Sequence, residues 1–354
     1  MTMPRPVFLF LLVLMAIPPL SAQDANWVRP RKAGDPLIWG RTDGIVFGLP
    51  SEGGMRGPRG LIRVGTMDGA TGTAMLLNFI AVEPATQGKK PRADRMGFSE
   101  LEKSRLDKGK FGARLWVANS GANVEPNGGT ISKEYRDGHE VETLSIRIEI
   151  ERFTQNRAHV YLILTMDSDH PNELRLSAFP YEDSRPLEEV VFTATMGAYE
   201  RLRFLWLKDE VVDSRKLYAN YTGYDFAEAE AYPAESMLRD QQGNPIALCT
   251  SSERTPSLAR NSQAGPNWYY DGPRMTQYWT IPAKDEAPNL RVRVNGRYAY
   301  WKSKNVIPGG TTFENFELRQ TFHPGQTFIF GVSRKEPSEW MPPLTNLPAN
   351  PESE

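Results

Sequence analysis

The chain has 354 residues, with 42 basic against 43 acidic side chains, 40 % hydrophobic and 10 % aromatic residues, and a single cysteine. The near-zero net charge excludes a generally basic nucleic-acid binder, and the hydrophobic content excludes a disordered chain. One cysteine excludes an intrachain disulfide and a cysteine-rich metal site, and 29 Gly with 28 Pro punctuate the chain too densely for a helical protein.

The first residues read as a secretory signal. Arg5 supplies the positive start, Val7 to Ile17 is an unbroken apolar run, and Leu20-Ser21-Ala22 is a small-residue cleavage site. Cleavage after Ala22 makes Gln23 the first mature residue and places the protein in the periplasm or outside the cell. The run is too short for a membrane span, and no later segment approaches about 18 apolar residues, so no integral membrane segment is expected after cleavage. Cys249, in Pro245-Ile246-Ala247-Leu248-Cys249, reads as a buried small hydrophobe.

Period-2 alternation then recurs through nearly the whole chain. Strands are predicted at Ile45–Leu49, Leu61–Gly65, Ala74–Val82 and Arg114–Ala118. The clearest is Thr143–Phe153, where Leu144, Ile146, Ile148 and Ile150 take one face and Ser145, Arg147, Glu149 and Glu151 the other. Asn156-Arg157 is a turn into a second strand over Ala158–Thr165, giving a hairpin. More strands are predicted at Leu174–Phe179, Val190–Thr195, Arg201–Leu207, Asn289–Val294, Tyr298–Trp301, Phe316–Thr321 and Thr327–Ser333. Asn295-Gly296 sits between two such runs and predicts a tight hairpin turn. Helical periodicity is confined to Phe98–Leu106 and Asp225–Leu238.

Many short strands and few short helices imply an all-β fold, a large antiparallel β-sandwich or jelly roll. The expected organisation is a signal peptide over 1–22, one sandwich over 23–335 and a Pro-rich tail over 336–354. Two sandwiches dividing between residues 180 and 230 are the alternative.

No Gly-x-Ser-x-Gly elbow, His-Glu-x-x-His pair, phosphate loop or dinucleotide fingerprint is present, and the four histidines are too dispersed for a zinc site. The chemistry-bearing stretch is Asn267–Trp279. Its Trp268, Tyr269, Tyr270, Tyr278 and Trp279 suit stacking on sugar faces, while Gln277 and Arg274 suit hydrogen bonding to hydroxyls. The same rings also fill sandwich cores. A second cluster, Tyr218–Phe226, offers Tyr221 and Tyr224 to the same groove.

Glu149 and Glu151 stand about 6.5–7 Å apart along one strand face, a spacing suited to glycosidic hydrolysis with one acid and one nucleophile or base. The alternative is a solvated strand face balanced by Arg147. A lyase route instead needs a Tyr or His base and a group that neutralises a uronate carboxylate, for which Tyr270, His139 and Arg274 are the right types. Asp167 and Asp169 could hold a calcium ion, or simply form a polar turn opening at Pro171.

The Glu149/Glu151 strand resembles the Glu-x-Asp-x-x-Glu strand of sandwich-fold glucanases, with Glu151 standing where that pattern has Asp and no third acid following. Pro308–Leu318 (PGGTTFENFEL), followed by Phe328–Val332, resembles the closing strands of concanavalin-like jelly rolls, secreted bacterial domains. The chain also resembles exported proteins of environmental bacteria through stretches such as Leu77–Pro84 and Phe98–Glu102. These resemblances imply the fold and no particular reaction. The expected function is an exported carbohydrate-engaging protein whose partner is a polysaccharide or oligosaccharide, acting as a polysaccharide lyase or glycoside hydrolase. The alternative is a non-catalytic binding or structural sandwich.

Overall fold

The computed structural model describes residues 26–50, 59–100, 112–117, 127–251, 261–265, 267–271, 275–301 and 303–339. The signal segment and Arg274 lie outside them. Two eleven-stranded sheets face one another, so the fold is an all-β sandwich. The first sheet runs from Trp27–Val28 through Ile38–Arg41, Val46–Gly48, Leu61–Met67, Ala74–Thr86, Leu187–Ala194, Thr312–Arg319 and Arg291–Arg297 to Glu230–Pro233. Asn261–Gly265 and Trp268–Tyr270 form a hairpin that joins Ala74–Thr86 in parallel. The second sheet runs from Val211–Asp213 through Leu202–Trp206, Pro245–Ser251, Thr276–Thr280, Thr327–Ser333, Glu173–Pro180 and Val160–Asp167 to His139–Ile150 and Leu115–Val117. Both sheets mix strands from before residue 180 with strands from after residue 230.

Alternation explains the core. Leu144, Ile146, Ile148 and Ile150 are buried between the sheets, facing Ile80, Val82, Phe192 and Phe316 from the other side. Two polar bridges cross that apolar layer. The Trp279 indole donates to the Phe316 carbonyl at 2.9 Å, and the Asn78 amide donates to Gln277 Oε1 at 2.6 Å. Each satisfies a group whose isolated burial would cost on the order of 1–3 kcal/mol. Cys249 is buried and unpaired, and burial raises its thiol well above the usual range.

The Asn156-Arg157 turn forms as expected between Thr143–Phe153 and the following strand. The Arg157 N–H donates to the Phe153 carbonyl, and the Asn156 amide ties the turn to Pro84 and Arg95 at 2.7 Å each. Four other expectations fail for local reasons.

Asn295-Gly296 makes no hairpin turn. Both residues lie inside Arg291–Arg297, at a register shift against Thr312–Arg319. Glycine is required there because a Cβ would meet the Tyr218 ring at 2.6 Å, and Asn295 Oδ1 accepts from the Asn315 N–H across the bulge. Asp225–Leu238 is not a helix but the strand Glu230–Pro233 and a short 3-10 turn over Ala234–Ser236, since Pro233 cannot sit inside a helix. Tyr298–Trp301 is a turn closed by the Ala299–Val306 bridge. Phe98–Glu100 is not helical but bends beside Val82, whose carbonyl accepts from the Ser99 N–H, and 101–106 lie outside the described residues. Among the described residues, no helix is long and apolar enough to cross a membrane.

Candidate functional site

The sequence Arg291-Val-Arg-Val-Asn-Gly-Arg297 sends Val292 and Val294 into the core and the arginines to the outward face of the first sheet. On the neighbouring strand the bulge buries both Phe313 and Phe316, three residues apart, and leaves Glu314 and Glu317 on the outward side. Acids and guanidiniums therefore form a ladder along this face. Glu317 pairs with Arg293 at 3.1 Å and accepts from Arg319 Nε at 2.5 Å, while Arg319 also reaches Glu83 at 3.6 Å. Glu189 pairs with Arg291 at 2.7 Å and with Arg92.

Burial works to raise the Glu317 carboxyl, but Arg319 and Arg293 overcome it and hold it below the usual carboxylate range. Glu83 shifts the opposite way, well upward, because burial and the charges of Glu100 and Glu317 outweigh the same two arginines.

At the end of the ladder the pairing becomes incomplete. Arg297 is 0 % exposed and sits in the corner made by the Phe226 and Trp301 rings, 4.4 and 4.5 Å from their centroids. Its Nη1 donates to the Tyr224 carbonyl at 3.2 Å. Among the described residues Nε and Nη2 have no hydrogen-bond partner, and Glu314 Oε1 stands 3.5 Å from Nε. The other Glu314 oxygen accepts from the Ala198 N–H at 3.0 Å. Burial pushes the Glu314 carboxyl up to about 7, against the pull of Arg297 and the Ala198 N–H.

Ala198 belongs to the one-turn helix Gly197–Glu200, which lies close on the 312–319 strand because Gly197 has no Cβ. One would meet the Phe313 carbonyl oxygen at 2.4 Å. That helix delivers Tyr199 and Glu200. Glu200 is 3 % exposed, and neither of its oxygens has a hydrogen-bond partner. The Tyr270 hydroxyl is beside it, equally buried and also without a bond of ordinary geometry. Burial raises both groups well above their ordinary values. The Tyr199 ring packs edge-on against Tyr270 at 5.6 Å and tilted against Tyr300 at 5.3 Å, and it feels the charges of Glu314 and Arg297. Tyr224 and Phe226 are 47 % and 41 % exposed, and Tyr300 and Trp301 partly so. The arrangement is a floor of buried, unfilled polar atoms under a rim of half-wet aromatic rings.

The two predicted aromatic clusters thus contribute unequally. Tyr270 and Tyr224 belong to this group of residues, and Tyr221, whose hydroxyl donates to the Asp225 carbonyl at 2.7 Å, stands close enough to feel Arg297. Trp268 is packed on the outer side of the first sheet against Ile38, Val46 and Leu76, and Tyr269 beside it is partly exposed. Gln277, Tyr278 and Trp279 belong to the other sheet: Gln277 bonds Asn78, Trp279 is core, and Tyr278 donates to Glu173 at 2.8 Å. Residues 267–279 cannot line one groove, because the chain changes sheets between Tyr270 and Thr276.

Glu149 lies on the outward face of the second sheet, where it accepts from Arg147 Nε at 2.7 Å and from the Tyr181 hydroxyl. Arg147 is stacked 3.8 Å over Tyr161, which is itself stacked on Phe179 at 5.3 Å. His159 stacks on Tyr181 at 4.2 Å, its Nδ1 2.6 Å from Asp183. Glu151 lies beyond the strand end at Ile150 and accepts from the Arg114 N–H at 3.2 Å. His139 opens that strand, exposed, 3.8 Å from Asp169.

Asp167, Asp169 and His170 bring one ligand atom each within 4.8 Å of one another. Asp167, however, already accepts from Thr143 at 2.7 Å, Arg136 at 2.6 Å and Arg175. A cation there would have to displace two guanidiniums.

Arg297, Glu314, Glu200, Tyr199, Tyr300 and Trp301 escaped the sequence reading. The available signal was the alternation of Arg291, Arg293, Asn295 and Arg297, which the turn reading of Asn295-Gly296 cut short.

No protein-family model matches the chain, and no curated protein matches it. Among solved structures, that of HI1317 is similar at 8 % identity, covering 87 % of this chain and 98 % of that one with a TM-score of 0.21. A likeness at that score carries no argument about activity.

Proposed function

We propose that this is an exported carbohydrate-engaging sandwich protein whose pocket at the Arg297 end of the first sheet seats a sugar residue of a polysaccharide or oligosaccharide. One observation carries the reading. Glu200, Tyr270 and Arg297 are buried with unfilled hydrogen-bonding capacity beneath Tyr199, Tyr300, Trp301 and Phe226. Buried polar atoms normally find partners, and a cluster that does not is where a small polar ligand or ordered water belongs. Half-exposed rings beside it suit the apolar faces of a sugar, and the floor suits its hydroxyls.

The same pocket has the parts for acid catalysis, since a carboxyl held near 7 is matched to proton donation at neutral pH. That favours a hydrolase or lyase over a purely binding protein, with Glu314 as the proton donor to the departing oxygen. The test is a screen on acidic and neutral polysaccharides. It follows binding by tryptophan fluorescence and cleavage by new reducing ends and unsaturated-uronate absorbance. Binding that is lost in Trp301→Ala supports the pocket, and cleavage that is lost in Glu314→Gln supports catalysis. Binding without cleavage leaves a binding protein. If no glycan binds, the carbohydrate reading is wrong.

A further inference from the structure

We propose that the pocket selects an acidic sugar, with the carboxylate of a uronate residue seated bidentately on Nε and Nη2 of Arg297. The inference rests on the carbohydrate reading and narrows it to a substrate class.

The geometry of the guanidinium carries it. Phe226 and Trp301 hold the flat group in their corner, and Nη1 is spent on the Tyr224 carbonyl. The nitrogens left over are Nε and Nη2, which share one edge of the plane and make the two-pronged fork that matches a carboxylate. A fully buried guanidinium with an idle edge loses its hydration and receives nothing in return, a cost that an oxyanion on that edge removes.

The residues around the fork do not compete strongly for it. Glu314 Oε1 pairs with Nε only at 3.5 Å, without a hydrogen bond, and its other oxygen accepts from the Ala198 N–H. Glu200 has no hydrogen-bond partner of ordinary geometry among the described residues and lies against the Tyr270 hydroxyl. Burial raises both carboxyls, which weakens their hold on the positive charge of Arg297. Neutral Glu200 and Tyr270 then each offer an O–H and acceptor lone pairs to ring hydroxyls. A neutral sugar would satisfy these two groups and leave the guanidinium edge idle.

The experiment is calorimetric titration of the full chain with a uronic-acid oligosaccharide, its methyl ester, and a neutral glucan oligomer of the same length. The acid form is expected to bind about tenfold or more tightly than the ester, a preference lost in Arg297→Lys. Equal binding of acid and ester overturns the acidic-sugar inference and leaves the carbohydrate reading standing. If inorganic sulfate raises the unfolding temperature through Arg297 while no oligosaccharide binds, the sugar part fails and an oxyanion site alone remains. If nothing binds, both proposals fall. The acid-to-ester comparison uses the unmutated chain, so it stays decisive even where Arg297→Lys does not fold. Trp301→Ala, at the rim, is expected to weaken acid and ester alike.

Discussion

The two outward faces of the sandwich carry similar side chains and use them differently. On the second sheet, Arg147, Tyr161 and Phe179 stack on one another, Tyr181 and Arg147 hydrogen-bond Glu149, and Asp183 holds His159. The described polar groups of that network have partners, and the faces of Tyr161 are taken by Arg147 and Phe179. On the first sheet, the ladder from Glu83 to Arg293 pairs its charges, but at its Arg297 end a guanidinium edge, the Glu200 carboxyl and the Tyr270 phenol lie buried together with no hydrogen bond of ordinary geometry among the described residues. Residue type therefore does not distinguish a structural network from a binding site. The difference lies in whether hydrogen-bonding capacity is used up.

Arg297→Ala should produce the largest effect. It removes the buried guanidinium beside Glu314 and empties the Phe226–Trp301 corner, and should cost about 3–5 kcal/mol in urea unfolding. A loss under about 1 kcal/mol would show that the buried cation is not held as described.

The pH dependence comes next. The Glu314 carboxyl is raised in the folded state, so its contribution is complete below its ordinary 4.5, declines as pH rises toward about 7, and stays lost above. Relative to Glu314→Gln, the native chain should lose on the order of 2–3 kcal/mol of stability between pH 4 and 8. Parallel stability curves for the two proteins would contradict the shift.

On the other face, Glu149→Gln should change stability by less than about 1 kcal/mol and leave glycan binding untouched, because its Arg147 partner is half in water. Loss of binding in that variant would reverse the assignment of the two faces. The smallest effect expected is from calcium. Added calcium or a chelator should not move the unfolding midpoint, since the Asp167 oxygens are already engaged by Thr143, Arg136 and Arg175. A clear calcium-dependent rise would reinstate Asp167 and Asp169 as ligands.

Much of the fold was legible because strand alternation is a local property. Leu144, Ile146, Ile148 and Ile150 read as one inward face and are one, and the Asn156-Arg157 turn stands where its residues put it. The site was legible only in fragments. Tyr270 and Tyr224 were recognised by type, but their neighbours Trp279 and Gln277 share that type and are spent between the sheets. Asn295-Gly296 has the composition of a turn, yet its glycine makes room for the Tyr218 ring, a contact 78 residues away along the chain in number alone.

The sequence by itself determined the sandwich class and the inward apolar faces, since both follow from the two-residue period of an extended chain. Only the tertiary structure decided which polar groups are satisfied. Partnering depends on what other strands and loops bring alongside: Glu314 toward Arg297, Glu200 beside Tyr270, and Tyr181 onto Glu149. Those meetings are set by register and by a single bulge, and no local pattern encodes them.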